Sequence, residues 1–133
     1  MSAGAARVLK TRTFTRWAQR EGLADGDLIS SVAEMKQGLI DARLGGGVFK
    51  KRVAKSGRGK RGGYRVILAS NLRDRWVFMF GFGKNERDNI DDLELRLMKQ
   101  LAAAFLALDE QGLKRMIAAK ELVETGHGKQ ETA

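Results

Sequence analysis

Between Arg43 and Arg65 this chain carries nine cations and no acid: Arg43, Lys50, Lys51, Arg52, Lys55, Arg58, Lys60, Arg61 and Arg65. Guanidinium and ammonium groups aimed at one point bind a phosphate. They also stabilise the charge that builds on pentavalent phosphorus when a ribose 2′-hydroxyl attacks the neighbouring phosphodiester, an electrostatic role of the oxyanion-hole kind. By spacing, Lys50 and Arg52 share one face of a strand, Arg65 stands on the next strand, and Lys84 and Arg87 emerge at the end of a third. Five positive groups can therefore converge on one patch of sheet, and no metal or cofactor is called for. Such a patch still needs a general base. A lysine serves only where like charges and desolvation bring its pKa of about 10.4 down by several units, and Lys50 is the one crowded by Lys51, Arg52 and Arg65.

Any one of these residues, taken singly, reads more simply as a solubilising charge on an edge strand. Nine together without an acid do not, because a surface shaped for solubility mixes signs. Taking the nine from the chain's 25 Lys and Arg leaves sixteen, equal to the sixteen Asp and Glu, so the formal charge of +9 resides in this stretch alone. A localised excess of this kind points to a polyanionic partner. The segment Lys55-Ser56-Gly57-Arg58-Gly59-Lys60-Arg61-Gly62-Gly63 lacks the spacing of a phosphate-binding P-loop, since Gly62 is followed by Gly63 and Tyr64, and it joins two strands. It reads either as a flexible, solvated basic loop or as one that tracks an RNA backbone through Lys55, Arg58, Lys60 and Arg61.

The remaining inventory is narrow. At 133 residues the chain fits one domain able to bury a core. The absence of cysteine excludes disulfides, thiolate nucleophiles and Cys-based zinc sites, and a reducing cytoplasm suits such a chain. No apolar run is long enough to span a bilayer. The single histidine, His127, stands in a polar tail where nothing would hold it as a base. Asp91 and Asp92 resemble a paired acid site but are better explained as complements to a helix dipole.

Hydrophobic spacing supplies the elements that must position the cations. Residues 1–6 are expected to be disordered, and Arg7 to Lys10 to form a strand. A helix starts at Thr13, carries Phe14, Trp17 and Ala18, and stops at Gly22. A second, capped by Asp25, runs through Leu28, Ile29, Val32, Ala33, Met35, Leu39 and Ile40, completing a helical hairpin. Gly45 to Gly47 break the pattern, and strands follow at Val48–Lys55, Tyr64–Ser70 and Arg75–Phe82, with a polar turn at Asn71–Asp74. In the last strand Trp76, Phe78, Phe80 and Phe82 are expected on one face, Val77 and Met79 on the other. A helix capped by Asp88 or Asn89 then buries Ile90, Leu93, Leu97, Leu101, Ala104 and Leu108. A shorter helix over 112–123 follows, using Leu113, Met116, Ile117 and Val123, and the tail from Thr125 is expected to be disordered. The class is α+β: an N-terminal strand, a helical hairpin, a three-stranded antiparallel meander completing a curved sheet, and a C-terminal helix with a short addition in 109–124.

With Gly63-Tyr64-Arg65, the basic strand Val48-Phe49-Lys50-Lys51-Arg52-Val53-Ala54 and the exit Phe82-Gly83-Lys84-Asn85-Glu86-Arg87 in this order, residues 7–108 resemble the RelE/ParE superfamily of bacterial type II toxins. The lead-in Leu44-Gly45-Gly46-Gly47 resembles its HigB-like branch. The resemblance implies an endoribonuclease that inhibits translation by cutting mRNA on the ribosome through 2′-hydroxyl attack, leaving a 2′,3′-cyclic phosphate. It also implies a helix-turn-helix, HigA-like antitoxin, contact with operator DNA only through the antitoxin complex, and no membrane. By position, Arg65 matches the strand arginine that stabilises the scissile phosphate. Lys50 and Arg52 fall near the family's basic pair, one of which is a candidate base; Lys51, one residue away in register, stays in play for that pair and is also counted as an RNA contact. Asn85 replaces a catalytic arginine, leaving the charge-stabilising role to Lys84 or Arg87 and Asn85 as an RNA contact. No aromatic matches the family's C-terminal tyrosine, so base stacking falls to Tyr64 or to the ribosome. Two other readings stay open: a ParE-like, non-enzymatic gyrase-binding toxin, and an RNA-binding module whose catalysis has lapsed.

Overall fold

The computed structural model describes residues 6–54 and 63–125. The elements are β1 (Arg7–Thr11), α1 (Arg12–Glu21), α2 (Asp25–Lys36), β2 (Ala42–Gly45), β3 (Val48–Val53), β4 (Tyr64–Ser70), β5 (Arg75–Gly83), α3 (Asp92–Ala107), α4 (Glu110–Ala118) and β6 (Leu122–Glu124). The six strands form one sheet in the order β2-β3-β4-β5-β1-β6. Only β1 and β5 pair in parallel. The expected α+β meander is present as β3, β4 and β5.

Each face of the sheet has its own core. On one, Phe14, Trp17 and Ala18 of α1 and Leu28, Val32 and Met35 of α2 pack on Val8, Phe49, Val53, Val66, Leu68, Trp76 and Phe78. On the other, Met98, Ala102 and Phe105 of α3, Leu113 of α4 and Leu122 of β6 pack on Leu9, Val48, Ile67, Ala69, Val77, Met79 and Phe82. Strands buried on both faces must be apolar on both, which is why Val66, Ile67, Leu68 and Ala69 form an unbroken apolar run.

One irregularity changes the faces of β5. Ile67 pairs with Phe80 while its neighbour Leu68 pairs with Phe78, so Met79 is an extra residue, a β-bulge. Past the bulge the alternation inverts. Phe80 and Phe82 join Val77 and Met79 on the α3 face instead of sharing a face with Trp76 and Phe78. Gly81 turns toward α1, where a Cβ would meet ring atoms of Trp17 at 2.3–2.6 Å. Only glycine fits there.

Other differences from the sequence reading have local causes. Thr11 rather than Thr13 caps α1, accepting from the Phe14 N–H at 3.0 Å, while Gly22 ends the helix at φ +74° as expected. Ala24 precedes α2 in place of an Asp25 cap, and its N–H is met by the Asp27 carboxylate. Asp91, not Asp88 or Asn89, caps α3, because Glu94 three residues on reciprocates by accepting the Asp91 N–H. The expected stripe holds in part: Ile90, Leu101 and Leu108 pack on the second core and Met98, Ala102 and Phe105 are buried, whereas Leu93 and Leu97 are 71% and 49% exposed and Ala104 is exposed. The glycines from Gly45 to Gly47, all at positive φ, turn β2 back into β3, adding an edge strand. The helix expected over 112–123 divides: α4 ends at Ala118, Lys120 adopts φ +63°, and β6 pairs with β1. Arg7 secures this corner by binding Glu124 and Glu110 at 2.6 and 2.8 Å, and the Glu124 hydrogen bond foremost favours its charged form. Thr125 is buried, its N–H donating to the Val8 carbonyl, and Ala6 packs on the first core. The rest of the expected disordered ends, and Lys55, Arg58, Lys60 and Arg61, lie outside the described residues.

Gly81→Ala is expected to lower unfolding free energy by about 1–3 kcal/mol through overpacking, read by chemical denaturation. An unchanged midpoint would mean that the Trp17 ring does not close over this position.

Candidate nucleic-acid interface

The alternation of β3 decides which cations meet. Val48 lies in the α3-side core and Phe49 and Val53 in the opposite one, so Lys50 and Arg52 project to the α3 side and Lys51 to the α2 side. On β4, Tyr64 and Val66 belong to the α1–α2 side and Ile67 to the other, which directs Arg65 to the α3 side. Register completes the patch: Lys50 is opposite Ile67, and Arg52 is directly opposite Arg65. Opposed residues in a ladder hold their Cβ atoms about 4.5–5.5 Å apart, and like charges so placed repel.

Arg65 is half-buried, and its Nη1 is enclosed without a hydrogen-bond partner. A buried donor in that state costs about 1–3 kcal/mol. Trp76 Nε1 is the other such atom among the described residues, but it belongs to a side chain buried in the α1–α2 core. Arg65 instead faces an exposed Arg52 and a half-buried Lys50. An anion docked between the two arginines would satisfy the orphaned nitrogen and relieve the repulsion together. The Arg52 backbone N–H is held by the Asp41 carboxylate, which fixes this end of β3 against the edge of the sheet.

The other expected site residues are distributed differently. Lys84 is exposed at the end of β5, its N–H donating to the Gly63 carbonyl beside Tyr64 and Arg65, so it stands at the rim of the patch, with exposed Asn85 next to it. Arg87 reaches the same face but is engaged: it forms a two-pronged pair with Glu94 at 2.7–3.1 Å and lies 5.7 and 5.4 Å from the Phe80 and Phe82 ring centres. Its charge is already neutralised by a carboxylate. Lys51 is directed away from the patch, its side chain 7% exposed and paired with Glu34 at 2.7 Å. Tyr64 also faces away, set edge-on against Trp17 with centroids 5.5 Å apart. Arg43 lies over the Phe49 ring on that same face. The patch that forms is thus Lys50, Arg52 and Arg65, with Lys84 at its margin.

Two neighbours of the patch escaped the sequence reading. Glu94, which occupies Arg87, is foreshadowed by the Asp91-x-x-Glu94 capping pattern. Asp41 stands two residues before the acid-free stretch, with no sequence pattern marking it as a partner of the Arg52 backbone. Among the described residues no group of three or more His, Cys, Asp or Glu side chains converges as a metal site, and no helix is long and apolar enough to cross a membrane.

Residues 6–125 match a family model described as "RelE toxin of RelE / RelB toxin-antitoxin system". The match runs through α4 and β6. No curated protein matches the chain significantly.

The assignment of Lys51 to structure has a direct check. Removing Glu34 leaves a buried ammonium unpaired, whereas replacing Lys51 by methionine removes the charge and keeps the volume. Glu34→Ala is expected to destabilise the fold more than Lys51→Met, and Lys51→Met to leave RNA affinity unchanged. Loss of RNA affinity in a folded Lys51→Met variant would return Lys51 to the interface.

Proposed function

Because the chain belongs to the RelE toxin family, the toxin side of a toxin–antitoxin system with a cognate antitoxin as partner, we propose that it is a cytoplasmic, ribosome-dependent mRNA endoribonuclease of the HigB-like branch. The observation that carries this reading is the opposed Arg52–Arg65 pair with Arg65 Nη1 buried and unpartnered. Donors held in advance where charge will develop stabilise a transition state without reorganisation. Lys50, two residues along the same face of β3, is the candidate base.

In the proposed reaction Lys50 acts as the base and takes the proton from a ribose 2′-hydroxyl. The 2′-oxygen bonds to phosphorus, and Arg65 and Arg52 bear the added charge on the non-bridging oxygens. The bond to the 5′-oxygen of the next nucleotide then breaks, that oxygen leaves with a proton from water, and a 2′,3′-cyclic phosphate remains. Lys84 binds a flanking phosphate. Arg87, closed onto Glu94, supports the β5 exit, and Asn85 contacts RNA beside Lys84. With Tyr64 packed on Trp17, base stacking is assigned to the ribosome. The proposed antitoxin is a helix-turn-helix, HigA-like protein, with operator DNA engaged only through the complex.

Arg65→Met keeps the aliphatic stem and removes both the repulsion with Arg52 and the orphaned donor. It is expected to be at least as stable as the parent and to lose on the order of 10²–10³ in cleavage rate, abolishing growth arrest on induction. Mapping transcript 5′ ends after induction reads the activity: codon-phased cuts for the parent and none for Arg65→Met support the reading. Intact mRNA with DNA damage would replace it with a ParE-like gyrase-binding toxin, and full arrest by a folded Arg65→Met would remove Arg65 from the site.

A further inference from the structure

The turn between β2 and β3 is closed over by a lysine from another layer. Gly45, Gly46 and Gly47 stand at φ +92°, +63° and +80°. A Cβ on Gly46 would lie 3.4 Å from Lys99 Cγ and 3.6 Å from Cδ, and one on Gly45 would lie 3.4 Å from Lys99 Nζ. The stem of Lys99, from the middle of α3, is therefore laid along the glycines and delivers its ammonium above Gly45.

That ammonium is not absorbed by an ion pair. Residues three and four away on α3 are Leu95, Arg96, Ala102 and Ala103, so the helix offers it no carboxylate at pairing distance. Among the described residues its Nζ forms no salt bridge. Lys99 is exposed, with its stem resting along the glycine turn and its ammonium next to the basic face of β3.

The placement continues a series. Gly45 pairs with Val48, and from Val48 the same face of β3 next presents Lys50 and then Arg52 with Arg65 opposite. Each of these two-residue steps advances about 6.6 Å, close to the separation of neighbouring phosphates in an extended single strand. Resting on the RNA-cleaving reading of this site, we propose that Lys99 is the far member of a phosphate track: single-stranded RNA lies along β3 with its reactive phosphate at Arg52 and Arg65, the next phosphate at Lys50, and the one beyond at Lys99. The cationic line thus starts on a helix that carries none of the catalytic groups. Its role is to hold the strand's direction and register while the chemistry occurs two linkages away.

The test uses 2′-O-methyl oligouridylates, which cannot be cleaved, with binding followed across a salt series for the full chain. Lys99→Ala is expected to reduce the slope of log affinity against log salt by about 0.7 on a hexanucleotide. It should leave dinucleotide binding, which uses only the reactive phosphate, unchanged. Lys99→Arg should restore the hexanucleotide slope. An unaltered slope for Lys99→Ala on the hexanucleotide, or an equal loss on the dinucleotide, overturns the track. These measurements do not depend on turnover, so a failure of the nuclease reading, seen as intact mRNA with DNA damage after induction, is distinguishable from a failure of the Lys99 assignment.

Discussion

The antiparallel pairing of β3 with β4 forces Arg52 and Arg65 to face each other, and the rest of the site depends on that constraint. Two guanidinium groups opposed in this way repel, and one of them encloses a nitrogen with nothing to bond. Neither could persist on an isolated hairpin. They persist because β4 is locked by the three residues after Arg65: Val66, Ile67 and Leu68 are wholly buried, and burial of such side chains is worth roughly 1.5–3 kcal/mol each. That exceeds the cost of one unsatisfied donor, about 1–3 kcal/mol. The sheet can therefore hold the arginines in a geometry that an anion would relieve.

The two-sided coverage of the sheet sorts the remaining cations. On the α1–α2 side, positive side chains find structural partners: Lys51 meets Glu34, Lys10 meets Asp25, and Arg43 lies over Phe49. On the α3 side the helix crosses β3, β4 and β5 but leaves Arg52 exposed and Lys50 half-exposed. The β5 bulge extends the sorting by bringing Phe80 and Phe82 to this side, where they form the floor beneath Arg87. Glu94 then serves twice, closing the cap of α3 and neutralising Arg87. One carboxylate thereby removes an arginine that spacing alone would have counted among the active groups.

The concentration of charge between Arg43 and Arg65, the α+β class and the meander were legible in the sequence, because period-two alternation and unbroken apolar runs depend on burial that neighbouring residues report. The Arg65 position was legible too, since one residue after the Gly63–Tyr64 strand start fixes its face relative to Val66. The faces beyond Met79 were not, because a bulge is a property of two paired strands and a single strand carries no mark of it. The α3 stripe was only partly legible for a related reason: Ile90, Leu101 and Leu108 do pack on the core, but several leucine spacings suit a helix, and the docking of Met98, Ala102 and Phe105 on the sheet selects among them.

The sequence by itself determined that an acid-free run of cations would stand on adjacent strands, since charge and strand period are local properties of the chain. Only the tertiary structure decided which of those cations are available. Lys51 of that run is taken up by Glu34, and beyond it Arg87 is taken up by Glu94 while Tyr64 is held against Trp17. Lys99 is brought to the same face by the packing of α3 across the glycine turn. Availability is a question of what lies opposite a side chain in space, and strand pairing and helix docking answer it.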